Sequence, residues 1–167
     1  MKKLLIKRVI AFGIDYLIIV FYAMLLFGIT TLVNPGNINP ILGQFVGFFT
    51  LTLPVFLYFY LTERSIYKGT IGKRVMGISV IINQQGSSRN ILIRNILKFL
   101  PWEIAHIGVH WVVYYSKMEI APPNWVWVVL ILPQIITFGY LISLVIYKGE
   151  YSFYDKIANT KVGITSA

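Results

Sequence analysis

Glu103, His106 and His110 lie in the stretch PWEIAHIGVHW, residues 101–111, bounded by tryptophans and otherwise aliphatic. Their spacing of i, i+3 and i+7 covers about 60° of helical arc, so on a helix all three share one face. A carboxylate and two imidazoles on one face suit proton relay, or ligation of Zn, Fe or Mn, and Glu-x-x-His is a ligand pair on bundle helices. A second Glu-x-x-His and a complete H-E-x-x-H are both missing. Bonding to backbone or to a neighbouring acid is therefore the alternative to a transition-metal or haem site at His106, His110 and Glu103.

Asp15 is the other group that demands a partner. It lies inside the first apolar run, seven residues after Arg8, which places it roughly 10 Å further along a helix axis. An ionised carboxylate at that depth costs about 2.5–3.5 kcal/mol on insertion scales, so it must face other helices and be paired or protonated. Arg8 is read as an anchor at the headgroup level. If a span begins near Pro101, His106 and His110 lie roughly 8 and 14 Å inward and bracket Asp15. An ion or proton site of Asp15, Glu103, His106 and His110 is the expectation, with a structural hydrogen-bond network as its alternative.

Such groups need a membrane to be placed in, and the composition supplies one. Of 167 residues 57% are hydrophobic and 13% charged, too apolar for a soluble domain to clothe. Spans are expected over about 9–33, 41–61 and 125–147, each long enough to cross about 30 Å of hydrocarbon. A fourth, 101–116, is preceded by an amphipathic interfacial helix, 89–100, with a bend near Pro101. Trp102, Trp111, Trp125, Trp127, Tyr114, Tyr115 and Tyr147 fall near span ends, as an aromatic belt requires. Pro54 and Pro133 lie inside spans, where each frees a backbone carbonyl that a neighbour must satisfy. The first apolar run is too long for the core of a cleaved signal peptide and lacks a small-residue cleavage site, so it is expected to remain as the first helix.

Lys and Arg cluster at 2–8, 64–98 and 148–161, whereas the other two connections carry almost none. By the positive-inside rule both termini and the central loop are cytoplasmic, in a bacterial-type cytoplasmic membrane. The net charge of +9 is thereby explained by topology and by anionic headgroups as partners. Arg64, Lys68, Lys73, Arg74, Arg89, Arg94 and Lys98 are assigned to that role. No stacking aromatics or docking motif accompany them, so nucleic acid is not expected. Gly72 to Arg74 lacks the G-x-x-x-x-G-K-[ST] pattern of a phosphate loop. The β-branched run Ile78 to Ile82, followed by Asn-Gln-Gln-Gly-Ser, predicts a short strand and a turn, and the C-terminal NTKVGIT can pair with it as a small cytoplasmic ribbon. Without cysteine there is neither disulfide nor thiolate chemistry.

Arg8, Ala11 and Asp15 form R-x-x-A-x-x-x-D, followed in order by GTIGKRVMGISVI, RNILIRNILKFLP and YSFYDKIANTKV. In this the chain resembles the RDD family of membrane proteins across nearly its whole length. The resemblance implies a helical inner-membrane domain associated with transport, and its name-giving positions fall here on Arg8, Asp15 and Asp155. Tyr154 stands where the family pattern often has His before the last Asp. The expected protein is thus a single-domain, all-α, four-helix integral membrane bundle, with an amphipathic cytoplasmic helix and a two-stranded ribbon. Its expected role is transport or export of a small solute or ion, in a homo-oligomer or with a membrane-protein partner. An accessory or assembly protein is the alternative, and a metal- or haem-binding membrane protein the third reading. No nucleophile or oxyanion donor is visible, so an enzyme is not expected and no cofactor is required.

Overall fold

The computed structural model describes residues 2–33, 39–83 and 87–165. Ten elements follow one another: α1 (Lys2–Val33), α2 (Pro40–Gly47), a π-helical turn (Phe48–Thr52), α3 (Leu53–Arg64), α4 (Ile71–Val75), β1 (Ile78–Ile82), α5 (Ser88–Lys117), α6 (Asn124–Ile146), α7 (Phe153–Ile157) and β2 (Thr160–Ile164). Residues 84–86 of the expected turn lie outside the described residues. Among the described residues three helical stretches are long and apolar enough to cross a membrane: Lys3–Leu32, Pro40–Arg64 and Asn124–Ile146. Most of their apolar side chains face outward, Phe27 of α1 being 72% and Phe138 of α6 64% exposed. Outward apolar faces are what lipid contact requires, since hydrocarbon gives no drive to bury them against protein.

Two of the prolines explain how neighbouring helices are joined. Pro54 has no N–H to offer the carbonyl of Thr50, four residues back. The preceding turn widens into the π-helical segment, and Tyr22 of α1 donates its hydroxyl proton to Thr50 O at 2.6 Å. Pro101 likewise leaves the carbonyl of Leu97 free, and Tyr140 of α6 donates to it at 3.0 Å. With that bond supplied from outside, α5 runs uninterrupted from Ser88 to Lys117. The amphipathic stretch 89–100 and the expected span 101–116 are therefore parts of one continuous helix that passes through Pro101. The α5–α6 contact is close along its length. A side-chain carbon at Gly108 would lie 2.6 Å from Leu130 Cγ, so only glycine permits the approach.

The ribbon forms with the antiparallel register Ile78↔Ile164, Val80↔Val162 and Ile82↔Thr160. Alternation puts Ile78 and Val80 on one face. There they join Val162, Ala11 of α1 and Ile91 of α5 in a small apolar core, with Leu4, Tyr60 and Met76 around it. The middle of the sequence and its end are thereby clamped onto the first turns of α1 and α5.

Candidate functional site: a buried chain of charges

Beside that core the structure gathers charged side chains from five helices. Asp155 of α7 accepts from the Arg8 guanidinium through Oδ2, and from Arg94 Nε through Oδ1 at 2.7 Å. The same Arg94 donates from NH1 to Glu63 Oε2. Glu63, the penultimate residue of α3, takes Lys73 Nζ at 2.7 Å on its other oxygen. Lys73 Nζ lies 3.5 Å from Thr70 Oγ1, and Thr70 donates to Asp15 Oδ2 at 2.6 Å. The order along the chain is Arg8, Asp155, Arg94, Glu63, Lys73, Thr70, Asp15, with the sign alternating at each ionised step. All seven are buried, none more than 6% exposed.

Local structure fixes each member. Ser152 caps α7, and Asp155 at the third helical position closes a capping box by accepting from Ser152 N at 2.9 Å. Arg8 also donates to the carbonyl of Gly149 at 3.0 Å and to the Tyr154 hydroxyl at 3.2 Å. Gly149, at φ +89°, must be glycine on two counts, because a side chain would also lie 2.7 Å from the Leu5 backbone. Thr70 caps α4 by accepting from Lys73 N at 3.4 Å. Asn95 adds a donor to Glu63 Oε2 at 3.0 Å.

Asp15 itself is saturated. Its Oδ1 accepts from the Tyr58 hydroxyl and from Gly72 N, both at 2.9 Å, and its Oδ2 from Thr70. The spacing of Arg8, Ala11 and Asp15 becomes intelligible here. α4 lies so close to α1 that a side-chain carbon at Gly72 would fall 2.1 Å from Ala11 O. A small residue at 11 and none at 72 let the start of α4 reach the carboxylate, and Arg8 and Asp15 then address opposite ends of one network.

Outside the spans, burial acts on every ionisable member. It pushes the Lys73 ammonium down, and the attraction of Glu63 does not fully compensate. Burial would raise the Asp155 carboxyl, but the guanidiniums of Arg94 and Arg8 outweigh it and hold the group below the ordinary carboxylate range. Burial would also lower Arg94, yet Glu63 and Asp155 together shift it upward, so it stays charged.

The sequence-predicted site is divided by the structure. Asp15 does not meet the imidazoles; its partners come from α3 and the α4 turn instead. The reason is the α1–α4 contact at Ala11 and Gly72, which turns Asp15 toward the buried cluster. Glu103, His106 and His110 remain on one helix. His106 Nδ1 is 3.1 Å from Trp102 O and its ring packs edge-on to Trp102 at 4.6 Å between centroids. His110 Nε2 lies 3.3 Å from where a side chain at Gly47 of α2 would begin. Glu103 Oε2 is buried with no hydrogen-bond partner among the described residues. No three His, Asp or Glu side chains among the described residues come together in a group that could hold a metal ion.

Arg8, Lys73 and Arg94 are also not the lipid anchors that the charge pattern implied. They are internal ion-pair partners, because each meets a carboxylate brought in from a distant part of the chain. Arg64, Lys68, Arg74 and Arg89 do stay exposed. Glu63 was not singled out in the sequence. The signal available was an acid in the last turn of a span facing an amphipathic helix rich in cations.

Helices of this length and polarity, joined by a buried charge network, define a multi-pass helical membrane protein. Residues 3–159 match the RDD family, so the chain belongs to that family. Arg8, Asp15 and Asp155, the positions the resemblance singled out, are all members of the buried network. No curated protein and no solved structure matches the chain.

Proposed function

We propose that this protein transports a small ion or solute across a bacterial-type cytoplasmic membrane, using buried side chains to handle protons or cations. The observation that carries the reading is the alternating chain from Arg8 to Asp15, drawn from α1, α3, α4, α5 and α7. Ionised groups buried beside membrane helices are costly, and ionisable residues within membrane segments commonly mark ion, proton or substrate pathways. In this reading the second half of α5, 101–116, forms a fourth crossing, and Glu103, His106 and His110 line it. The clustering of Lys and Arg supports placing the termini, the ribbon and the network on the cytoplasmic side, against anionic headgroups. There the ion pairs act as a closed gate. So few spans make a complete pathway only with a second copy or another membrane subunit. No enzymatic reaction, cofactor or nucleic acid enters this reading.

The purified full chain, reconstituted in liposomes carrying an internal pH dye, tests it under imposed Na⁺ or K⁺ gradients. Protein-dependent proton movement is expected, reduced at least tenfold in Asp15→Asn. Flux unchanged in Asp15→Asn overturns the role of that acid, and no flux above protein-free liposomes overturns ion and proton transport. A second reading, a non-catalytic accessory protein, is favoured by the outward apolar faces of α1 and α6. A membrane protein that co-purifies stoichiometrically with a chain giving no flux would replace the first reading with the second.

A further inference from the structure

Lys98 differs from the other cations near the network. It lies one turn beyond Asn95 on α5, partly buried, with Nζ 3.3 Å from the centroid of the Phe59 ring and 5.4 Å from that of Phe99. The four ion pairs among the described residues do not include it. Asn95 Oδ1, beside it on the same helix face, is fully buried and has no hydrogen-bond partner among the described residues. Lys73 Nζ of α4 lies against the same Phe59 ring, 5.6 Å from its centroid, and Lys73, Glu63 of α3, Arg94 of α5 and Asp15 of α1 are the charges that act on Lys98.

Charge counting then separates the two states of this amine. Arg8, Lys73 and Arg94 balance Asp15, Glu63 and Asp155, three against three. A neutral Lys98 leaves the network balanced; an ammonium adds one positive charge without a carboxylate of its own. Burial first, and Lys73 second, drive the amine well below the ordinary range of lysine. The two phenyl faces still offer a protonated form some stabilisation, so both states have a place.

We propose that Lys98 is a reversible proton-binding site, its Nζ lone pair taking a proton from water and thereby switching the buried network from neutral to singly positive. The site is defined by equilibrium protonation and holds whatever the chain transports.

The full chain in lipid nanodiscs, with lysine labelled at ¹³Cε, tests this by NMR titration. One resonance, missing in Lys98→Met and in Lys98→Gln, is expected to titrate below the lysine of an unstructured peptide recorded in the same buffer. Its midpoint is expected to rise in Lys73→Met, which removes the facing cation. A Lys98 resonance that titrates with or above that peptide overturns the proposal, as does a midpoint indifferent to Lys73→Met. If neither Lys98 variant folds, Lys73→Met decides alone: a low-titrating lysine that survives it belongs to Lys98, and the loss of every such signal overturns the assignment.

Discussion

Tyr140 of α6 donates its hydroxyl proton to the carbonyl of Leu97 at 3.0 Å, the acceptor that Pro101 leaves free one turn later on α5. The bond is therefore a repair, and its value should depend on the proline. Tyr140→Phe is expected to cost about 0.5–1.5 kcal/mol of stability, within the range for membrane hydrogen bonds. In a Pro101→Ala background the restored N–H at 101 can reach Leu97 O, so the same Tyr140→Phe change should cost clearly less. A double-mutant cycle read by unfolding in detergent measures the coupling, and strict additivity would show that the tyrosine does not stand in for the missing donor.

The contact between Gly72 and Ala11 carries a second expectation. The atom that a Gly72→Ala side chain would strike is the backbone oxygen Ala11 O, at 2.1 Å, which no rotamer change can move. The α4 turn must retreat, and with it Gly72 N and Thr70, two of the three donors to Asp15. A loss of about 1–3 kcal/mol is expected for Gly72→Ala, as for overpacking elsewhere. Gly13, with nothing within 4 Å of its would-be side chain, is the control: Gly13→Ala should fold as well as the wild type or better, helix propensity favouring alanine by about 1 kcal/mol. Equal midpoints for Gly72→Ala and the wild type would show that α4 is not held against α1.

The contrast between these contacts and the rest of the fold shows what a sequence of this kind discloses. Apolar run length located three crossings, because hydrocarbon thickness imposes it locally. The β-branched runs at 78–82 and 160–164 likewise disclosed a ribbon, through residues adjacent in sequence. The charge network was legible only as ingredients. Arg8 and Asp155 stand 147 positions apart, and Arg94 and Glu63 31 apart, so only tertiary approach distinguishes an internal partner from a lipid anchor. Pro101 is legible only in part for the same reason: a proline predicts a free carbonyl, but the tyrosine that satisfies it comes from another helix. Asp15 was recognised as needing partners, but the glycine that admits them, at 72, reveals its role only against Ala11.

The acid limb of stability should report on Asp155. Its folded-state carboxyl is held below the ordinary range by Arg94 and Arg8, so the unfolded chain binds a proton more readily. The stabilisation is complete above the unfolded value of about pH 4, and is lost as pH falls through the folded value. Asp155→Asn removes the charge and leaves two guanidiniums without their shared anion, a loss of about 3–5 kcal/mol for a buried pair. The wild type is therefore expected to be far more stable than Asp155→Asn at pH 7, and the gap should narrow below about pH 4. Unfolding midpoints in detergent at a series of pH values provide the comparison; a gap that stays constant down to pH ~2 would mean that ion pairing at 155 does not set it.

Glu103 invites the opposite expectation, a gain of stability on substitution. One of its carboxylate oxygens is buried without a partner among the described residues, in the half of α5 proposed to cross the membrane, and an unsatisfied buried polar atom costs about 1–3 kcal/mol. Glu103→Gln keeps the shape of the side chain but removes the charge and replaces one acceptor oxygen by an NH2 donor, so the chain should become more stable or remain unchanged. If the acid serves proton or cation handling, the same variant should lose most of its flux in liposomes, since stabilising changes at working residues commonly cost function. Reduced stability in Glu103→Gln would reveal a structural bond to the carboxylate, and unimpaired flux would remove Glu103 from the pathway. His110, one face and two turns further along α5, then provides the internal comparison: its imidazole rests against Gly47 of α2, so His110→Ala should lower stability through lost packing whether or not flux depends on it.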